Sequence, residues 1–395
     1  MERQTRILVE CPALIASVRL GVLEPLKPLQ EQGKCDVHFL QTKHIKKVDI
    51  AWCDIFICVR GFEYVSMKAA KAAKQAGRLV IYFLDDDLLN VPEDVGSKDY
   101  FSDESQKQAL SEIINFCDML WCVNPYLGEK YSRFGNKRWV MERVPVPLEH
   151  FSYEEHGTIS ILYAGSSDHT PVIREYITPV VRRLCEEFQG LVSFTFIGAD
   201  PGLSGYENVE YIKFFEDYED YYSFLLQKRF DIGLAPVRTT EFYQCKYYNK
   251  FIEYTKIGAV GVYTNSLPYT LVIQDGQNGF LCENTFEDWY NTLKKTIVDC
   301  DLRKRCAETA YNDLQEKFTY DKVGVKLLED IPELTYFHAP FINKSKIKLK
   351  NMYFLFYVKR ASLLWKKHGI FAIPIMFFKA IKRLRNYFFN RMGSF

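Results

Sequence analysis

The chain has 395 residues, 48% of them hydrophobic and 26% charged, the composition of an ordinary globular protein long enough for two domains and an appendage. The net charge of +1 hides an asymmetry: from Ala339 onward there are 13 Lys/Arg and no Asp or Glu, so an acidic body carries a basic tail. The 11 cysteines make no C-x-x-C pair and sit mostly in apolar runs, which argues against zinc and for a reducing cytosol. The opening MERQTRILVECPALIA is interrupted by Glu10 and Pro12 and does not read as a signal peptide.

In chain order, Arg6–Glu10 predicts a strand, Pro12–Leu20 a loop and Gly21–Gln32 a helix closed by Gly33. Strands follow at Asp36–Leu40, Ile55–Val59 and Leu79–Leu84, with a helix over Tyr64–Gln75 closed by Gly77. Ser105–Phe116 and Tyr126–Phe134 read as helices, Met119–Val123 and Trp139–Val144 as strands. The alternation restarts with strands at Ser160–Ala164, Val192–Ile197, Val209–Phe214 and Asp231–Ala235, and helices at Pro171–Phe188 and Tyr218–Lys228. From Gln244 the pattern is one helix, a left-handed stop at Gly258, and a buried strand over Ala259–Thr264. Two successive runs of this kind predict an α/β protein of two Rossmann-like domains, each with a parallel sheet covered on both faces, facing a cleft. Residues 1–150 and 151–335 are the expected domains, and residues 336–395 a basic amphipathic helical tail.

In that tail Lys344, Lys346, Lys348 and Lys350 lead into Met352–Lys367 and then Gly369–Arg391. Phe377, Phe378, Ile381, Leu384 and Phe388 keep a helical apolar stripe flanked by Lys379, Lys382, Arg383 and Arg385. The longest apolar run, Gly369–Phe378, contains Pro374 and is far short of the roughly 20 residues a spanning helix needs. Such a helix fits an anionic membrane interface; the alternative is a helical pair packed on the acidic body. No nucleic-acid motif is present.

Four groups of residues point to chemistry. Lys246, Lys250 and Glu253 stand at i, i+4 and i+7, so on one helix they share a face. Lysines near a helix N-terminus neutralise phosphate, and a carboxylate two turns on accepts hydrogen bonds from ribose hydroxyls; a solvated charged stripe is the plain alternative. The segment Gly165-Ser166-Ser167-Asp168-His169 joins a strand to a helix, a common seat for an anion, or else an ordinary capping loop. Asp85, Asp86 and Asp87 follow a strand, where carboxylates hold a metal, act as base or cap a helix. Ser17 and Arg19 follow the first strand and Arg60 the third, and guanidinium groups there bind phosphate in two-pronged fashion.

CKYYNKFIEYTKIGAVGVYTN resembles the K-x-x-x-K-x-x-E-Y-x-x-x-G-x-P-V-V-A-T segment of GT-B glycosyltransferases, in the broad family 4 and family 1-like group, with Val260 at the usual proline. SLPYTLVIQDGQNGFLCEN is similar to the run that follows it there, with Leu271 at the usual glutamate. Tyr163–His169 resembles the Y-x-G-S-x-T-H loop of a subset of these enzymes, with Asp168 for threonine, and DDLLNVP their x-D-D-L-x-x-x-L-P run. Ser17 and Arg19 resemble their S-x-R-x-R pattern, with Gly21 at the second arginine, and VPVPLEHF their linker entry between domains.

The resemblance implies a glycosyltransferase that moves a sugar from a nucleotide-diphospho-sugar to a glycan or lipid-linked acceptor, in surface polysaccharide or glycoconjugate synthesis. Lys246, Lys250, Glu253, Gly165, Ser166 and Ser167 would bind the donor. Ser17, Arg19 and Arg60 would bind acceptor or phosphate, and Asp86, Asp87 and His169 are the catalytic candidates. No cofactor or metal is required, because lysines and helix N-termini take the metal's role. A GT-A D-x-D metal motif at Asp85–Asp87 is disfavoured by the two α/β halves. The alternatives are a nucleotide-sugar epimerase of GT-B type, or a non-catalytic nucleotide- or glycan-binding relative, to which Leu271 lends weight. The expected location is the cytoplasmic face of the membrane, held there by residues 340–395.

Overall fold

The computed structural model describes residues 3–369 apart from residues 94, 97, 135–137, 142–143, 148–156 and 216. The first sheet holds β1 (Thr5–Cys11), β2 (Cys35–Gln41), β3 (Ile55–Val59), β4 (Leu79–Leu84), β5 (Met119–Cys122) and β6 (Arg138–Met141), in the order β2-β1-β3-β4-β5-β6. The second holds β7 (Ile159–Ala164), β8 (Val192–Ile197), β9 (Val209–Ile212), β10 (Ile232–Ala235), β11 (Val260–Thr264) and β12 (Phe280–Cys282), in the order β12-β11-β10-β7-β8-β9. Every pairing is parallel; Val9 lies beside Ile57, and Leu234 beside Tyr163. Helices cover both faces, so β3 (IFICV) is buried along its whole length, and β4 (LVIYFL) from its second residue on.

Each sheet reverses its strand order once. In the first, the chain leaves β1 for β2 on one side and returns to β3 on the other. In the second, the same reversal separates β7 from β10. The crevices at these two points, beyond the carboxyl ends of the strands, are where ligands of open α/β sheets bind. The loops after β1, β3, β7 and β10 border these crevices, and the loop after β4 stands beside the first.

The first helix begins earlier than the sequence suggests. Helical backbone runs over Ala16–Val18, a π-turn over Arg19–Leu23 and a helix over Glu24–Glu31, so Pro12–Leu20 is not all loop. Val18, Val22, Leu26 and Leu29 are buried, an apolar stripe that starts before Gly21. The helix expected from Gln244 is broken. Glu241–Gln244 and Asn249–Lys256 are separate helices, and Lys246 lies between them. The Asn124 side-chain amide, which caps the helix after β5, donates to the carbonyls of Gln244 (3.0 Å) and Lys246 (2.7 Å). Those carbonyls would otherwise receive the next helical turn. Lys246 thus leaves the shared face predicted for it with Lys250 and Glu253. The stop at Gly258 has the expected left-handed φ of 76°.

The chain then returns to the first domain. The helix Tyr320–Asp330 packs on Glu24–Glu31, and Tyr320 donates to Glu24 at 2.7 Å. Ile331 and Leu334 are fully buried in the first domain's core. Arg78 donates to the Pro340 carbonyl at 2.9 Å, and the Ala339 amide to Asp54 at 3.0 Å. The expected boundary at residues 335/336 falls inside this return. The helix Met352–His368 continues along the first domain through Arg360–Glu63 (2.8 Å) and Lys366–Asp103 (4.0 Å), so the tail's first half packs on acidic side chains of the body. The second predicted tail segment, Gly369–Arg391, lies outside the described residues beyond Gly369. Among the described residues no helix is long and apolar enough to cross a membrane.

Candidate active site

Arg60 organises the first crevice. It ends β3 with a φ of 49°, a left-handed conformation that costs a non-glycine residue on the order of 1–3 kcal/mol and that proteins keep mainly where geometry is needed. Its guanidinium donates to Ser17 Oγ at 3.2 Å, across the reversal between β1 and β3. The same nitrogen lies 2.9 Å from Asp85 Oδ1 and 3.1 Å from Asp86 Oδ2. Ser17, Arg60, Asp85 and Asp86, which are distant in sequence, form one charged cluster. Arg19 faces elsewhere: it is exposed and close enough to Tyr320 to act on its phenol.

The second domain reaches this cluster through Lys246, whose ammonium lies 2.8 Å from Asp86 Oδ1 and 4.7 Å from the Phe242 ring centre. Burial alone would raise the Asp86 carboxyl, but Lys246 and Arg60 outweigh it and hold the group below the usual carboxylate range. Asp85 moves the other way: burial raises it, with Asp86 adding to the rise and Arg60 only partly opposing. The two adjacent carboxyls are therefore displaced in opposite directions: Asp86 is held ionised by its cations, while Asp85 holds a proton more readily.

Asp87 is built differently. It is fully buried and receives hydrogen bonds from Tyr131 (2.7 Å) and the Asn90 amide (3.0 Å). The Lys130 ammonium lies 2.7 Å from it and also 2.7 Å from Glu241 of the second domain. A carboxylate so enclosed anchors the loop after β4 and ties it to the segment before Lys246; its lone pairs are committed to these partners. Lys130, Asn124 and Glu241 escape sequence reasoning because they act through contacts across domains, and Tyr131 because its partner Asp87 lies 44 residues away in the chain. The amide at Asn124 was the one legible sign, as a polar residue preceding Pro125 at a helix start.

Lys250 and Glu253 lie on Asn249–Lys256 and pair with each other, and Tyr221 donates to Glu253 at 3.1 Å. Both side chains are about one-quarter exposed, Lys250 at 22% and Glu253 at 24%, so they are reachable by a ligand. After β7, Gly165, Ser166 and Ser167 lead into a turn that presents Asp168 and His169. A side chain at Gly165 would collide with the Tyr163 hydroxyl at 2.3 Å, so the backbone there must stay bare. Asp168 accepts from the Gly96 amide of the first domain at 3.2 Å, and the His169 ring stands 6.0 Å from that of Tyr243. The structure thus brings Ser17, Arg60, Asp86, Asp87 and Lys246 together. Lys250 and Glu253 follow one turn of chain beyond Lys246, and Gly165–His169 line the second domain's own reversal point. Leu271 is 39% exposed in the turn Tyr269–Leu271. Among the described residues no group of three or more His, Cys, Asp or Glu is placed to hold a metal ion.

A scan against protein-family models matches none, and a search of curated proteins gives no match. Solved structures do resemble the chain. HepE from Anabaena in complex with UDP-glucose is 13% identical with a TM-score of 0.57, over 84% of this chain and 100% of that one. A glycosyltransferase from Rickettsia africae is 15% identical with a TM-score of 0.56, over 85% of this chain and 100% of that one. An E. coli trehalose-6-phosphate protein bound with UDP-2-fluoro glucose is 9% identical with a TM-score of 0.56, over 85% and 100% of the two chains. At such identities the likeness is one of architecture: the chain has the GT-B glycosyltransferase fold, two Rossmann-like domains facing a cleft.

Proposed function

We propose that the protein is a glycosyltransferase that moves a sugar from a nucleotide-diphospho-sugar to a glycan or lipid-linked acceptor, in surface polysaccharide or glycoconjugate synthesis at the cytoplasmic face of a membrane. The observation that carries the reading is the meeting of Lys246 with Asp86 and Arg60 where the two domains' strand-end loops face each other. Such a place combines cations for a departing diphosphate with a carboxylate for the incoming hydroxyl.

In this scheme the donor diphosphate takes Lys246 from Asp86 and adds Lys250, which exchanges Glu253 for it. Glu253, held by Tyr221, then accepts from the ribose hydroxyls. Gly165–Ser167 offer bare backbone to the phosphates or the sugar. The released Asp86 is ionised and takes the proton of the acceptor hydroxyl. The acceptor oxygen bonds to the sugar's anomeric carbon, the bond from that carbon to the phosphate oxygen breaks, and its electron pair leaves on the nucleotide diphosphate. Lys246, Lys250 and Arg60 stabilise that charge as it forms, the electrostatic help that such transfers need, without calling on a metal. Closure of the domains excludes water. Asp87 fixes the loop that carries Asp86.

The test is a thermal-shift screen with UDP, GDP, dTDP, ADP and CMP on the wild type, Lys250→Ala and Glu253→Ala, followed by sugar transfer with the nucleotide that binds. At 100 times its dissociation constant a ligand stabilises by about 2.7 kcal/mol, or several degrees. One nucleotide shifting the wild type and not the variants supports the donor site; no shift with any nucleotide overturns it. The exposed Leu271, where the resembled family has glutamate, favours the second reading, a nucleotide- or glycan-binding relative. That protein would bind nucleotide with no turnover, and Asp86→Asn would change nothing in a transfer assay.

A further inference from the structure

The loop after β2 and the start of the helix Met352–His368 border an open pocket of about 470 Å³ that no part of the proposed transfer uses. Lys43, Lys46, Lys47 and Lys350 line it together with His44 and Asn351, and no acidic residue does. Among the described residues none of these four ammonium groups lies within 4.0 Å of a carboxylate, although ion pairs are plentiful elsewhere on this surface. The arrangement is built by the fold. Ile45, Leu349 and Met352 are buried beside the lysines and fix the two segments, while the His44 ring stands 6.3 Å from that of Tyr353. Four lysines around one concavity, none with a carboxylate in contact among the described residues, disfavour each other, and a phosphate-bearing anion relieves that repulsion.

What lies next to the cavity selects the source of the anion. On the helix Met352–His368, Phe354 is 69% exposed, Val358 45% and Trp365 53%. Their spacing of four and seven residues stacks them on one face. Met352 and Phe356 are buried on the opposite side, and Lys359 and Arg360, which lie to either side of the stripe, bind back onto the first domain at Tyr64 and Glu63. A free phosphate needs the cations but has no use for an exposed Phe–Val–Trp stripe beside them. A lipid surface uses both.

We infer that this pocket seats the phosphate headgroup of an anionic lipid while the Phe354–Val358–Trp365 stripe enters the interface, so that the folded first domain itself docks on the membrane. The inference rests on the membrane part of the proposed function and is independent of sugar transfer. It differs from anchoring by the tail alone, because Lys43, Lys46 and Lys47 of the first domain line the pocket.

The test is sedimentation of the full chain with vesicles of phosphatidylcholine alone and of phosphatidylcholine mixed with phosphatidylglycerol. Each cation at an anionic surface contributes on the order of fivefold to partitioning. Lys43→Gln/Lys47→Gln is therefore expected to weaken binding to the mixed vesicles about 25-fold. Lys304→Gln/Lys322→Gln, an equal loss of charge at exposed positions elsewhere, should stay within about twofold of the wild type. Phe354→Ser/Trp365→Ser should also weaken binding, and all three variants should keep the wild-type nucleotide thermal shift. Equal effects of the two lysine pairs, or none from either, overturn the pocket while leaving the tail as anchor. Failure of the wild type to bind mixed vesicles overturns the pocket and the membrane reading together. A thermal shift with inorganic pyrophosphate in a protein that ignores vesicles makes the site one for a soluble anion and overturns the lipid assignment.

Discussion

On the proposed function, replacing Asp86 by asparagine should separate nucleotide binding from sugar transfer. The carboxylate is 18% exposed and lies 2.8 Å from Lys246 and 3.1 Å from Arg60. Unit charges about 4 Å apart interact by roughly 4 kcal/mol at the screening found near protein surfaces, and desolvation offsets much of that. A net of about 1–2 kcal/mol is the order of magnitude that a diphosphate must overcome when it takes Lys246 from Asp86. The Asp86→Asn side chain keeps the shape and releases the cation, so the nucleotide should bind about 5- to 30-fold more tightly, at 1.4 kcal/mol per tenfold. Sugar transfer should fall about 100- to 10,000-fold through loss of the base.

Isothermal titration with the nucleotide found by the screen measures the first effect, and sugar transfer at saturating donor the second. The same variant has a pH signature. The Asp86 carboxyl titrates below its ordinary 3.8 in the folded protein. Its stabilisation is therefore present in full above that value and is lost as pH falls through the depressed one. Wild type and variant should differ in Tm at neutral pH and converge in strong acid. Nucleotide binding that is unchanged or weaker in Asp86→Asn refutes the reasoning, because the Asp86–Lys246 pair would then not occupy the donor's seat.

Asp87→Asn leaves Lys130 with Glu241 alone and turns an amide toward the Tyr131 and Asn90 donors at a fully buried site; it should cost about 1–3 kcal/mol in urea unfolding, whereas Asp86→Asn costs less. Asn124→Ala removes the amide that receives the Leu127 N–H at 2.8 Å and donates to Gln244 and Lys246. A loss of about 1–3 kcal/mol and weaker nucleotide binding in the same titration are expected, since Lys246 loses its support. Glu10 is fully buried near the end of β1, and burial raises its carboxyl above the ordinary 4.5 although Thr42, Cys58 and Ser66 donate to it. Because the folded value is raised, stability is greatest below the ordinary 4.5 and declines as pH rises from there to the higher folded value. Glu10→Gln should remove this slope in Tm measured against pH.

The architecture was legible because parallel strands buried on both faces leave a plain record: LVIYFL and IFICV admit few other uses. Gly33, Gly77 and Gly258 mark helix ends at φ of 69°, 75° and 76°, as their positions suggested. The site was legible only where one loop carries its own residues, as with Asp85–Asp87, Gly165–His169 and Arg60. The broken helix around Lys246 was not, because its cause is the Asn124 amide, more than a hundred residues away in sequence. Helical spacing treats a segment as its own environment; here two carbonyls bond to another domain, and that outweighs local preference. Packing of the helix Met352–His368 on acidic side chains was one of the two readings of the tail, but the return of residues 320–340 onto the first domain was hidden for a related reason. Its apolar positions, such as Ile331 and Leu334, fit any core, and only the folded chain says which.

That return changes how closure of the cleft has to be understood. The first domain is completed by a segment that reaches it only after the second domain has been made, so the two are joined twice: through residues 144–147 and through Phe318. The two crossings touch, with the Val146 amide donating to the Phe318 carbonyl at 2.7 Å. A paired crossing of this kind permits rotation of one domain against the other while opposing their separation. Farther into the cleft the contacts are of another type: Asp86 with Lys246, Lys130 with Glu241 and Asp168 with the Gly96 amide. They are polar and partly exposed, each of modest net strength. Packing therefore secures the hinge, and exchangeable ion pairs close the mouth. On the proposed function, a diphosphate entering that mouth would substitute for Asp86 on Lys246, so the charge that binds the donor would be the charge that joins the two domains in the empty protein.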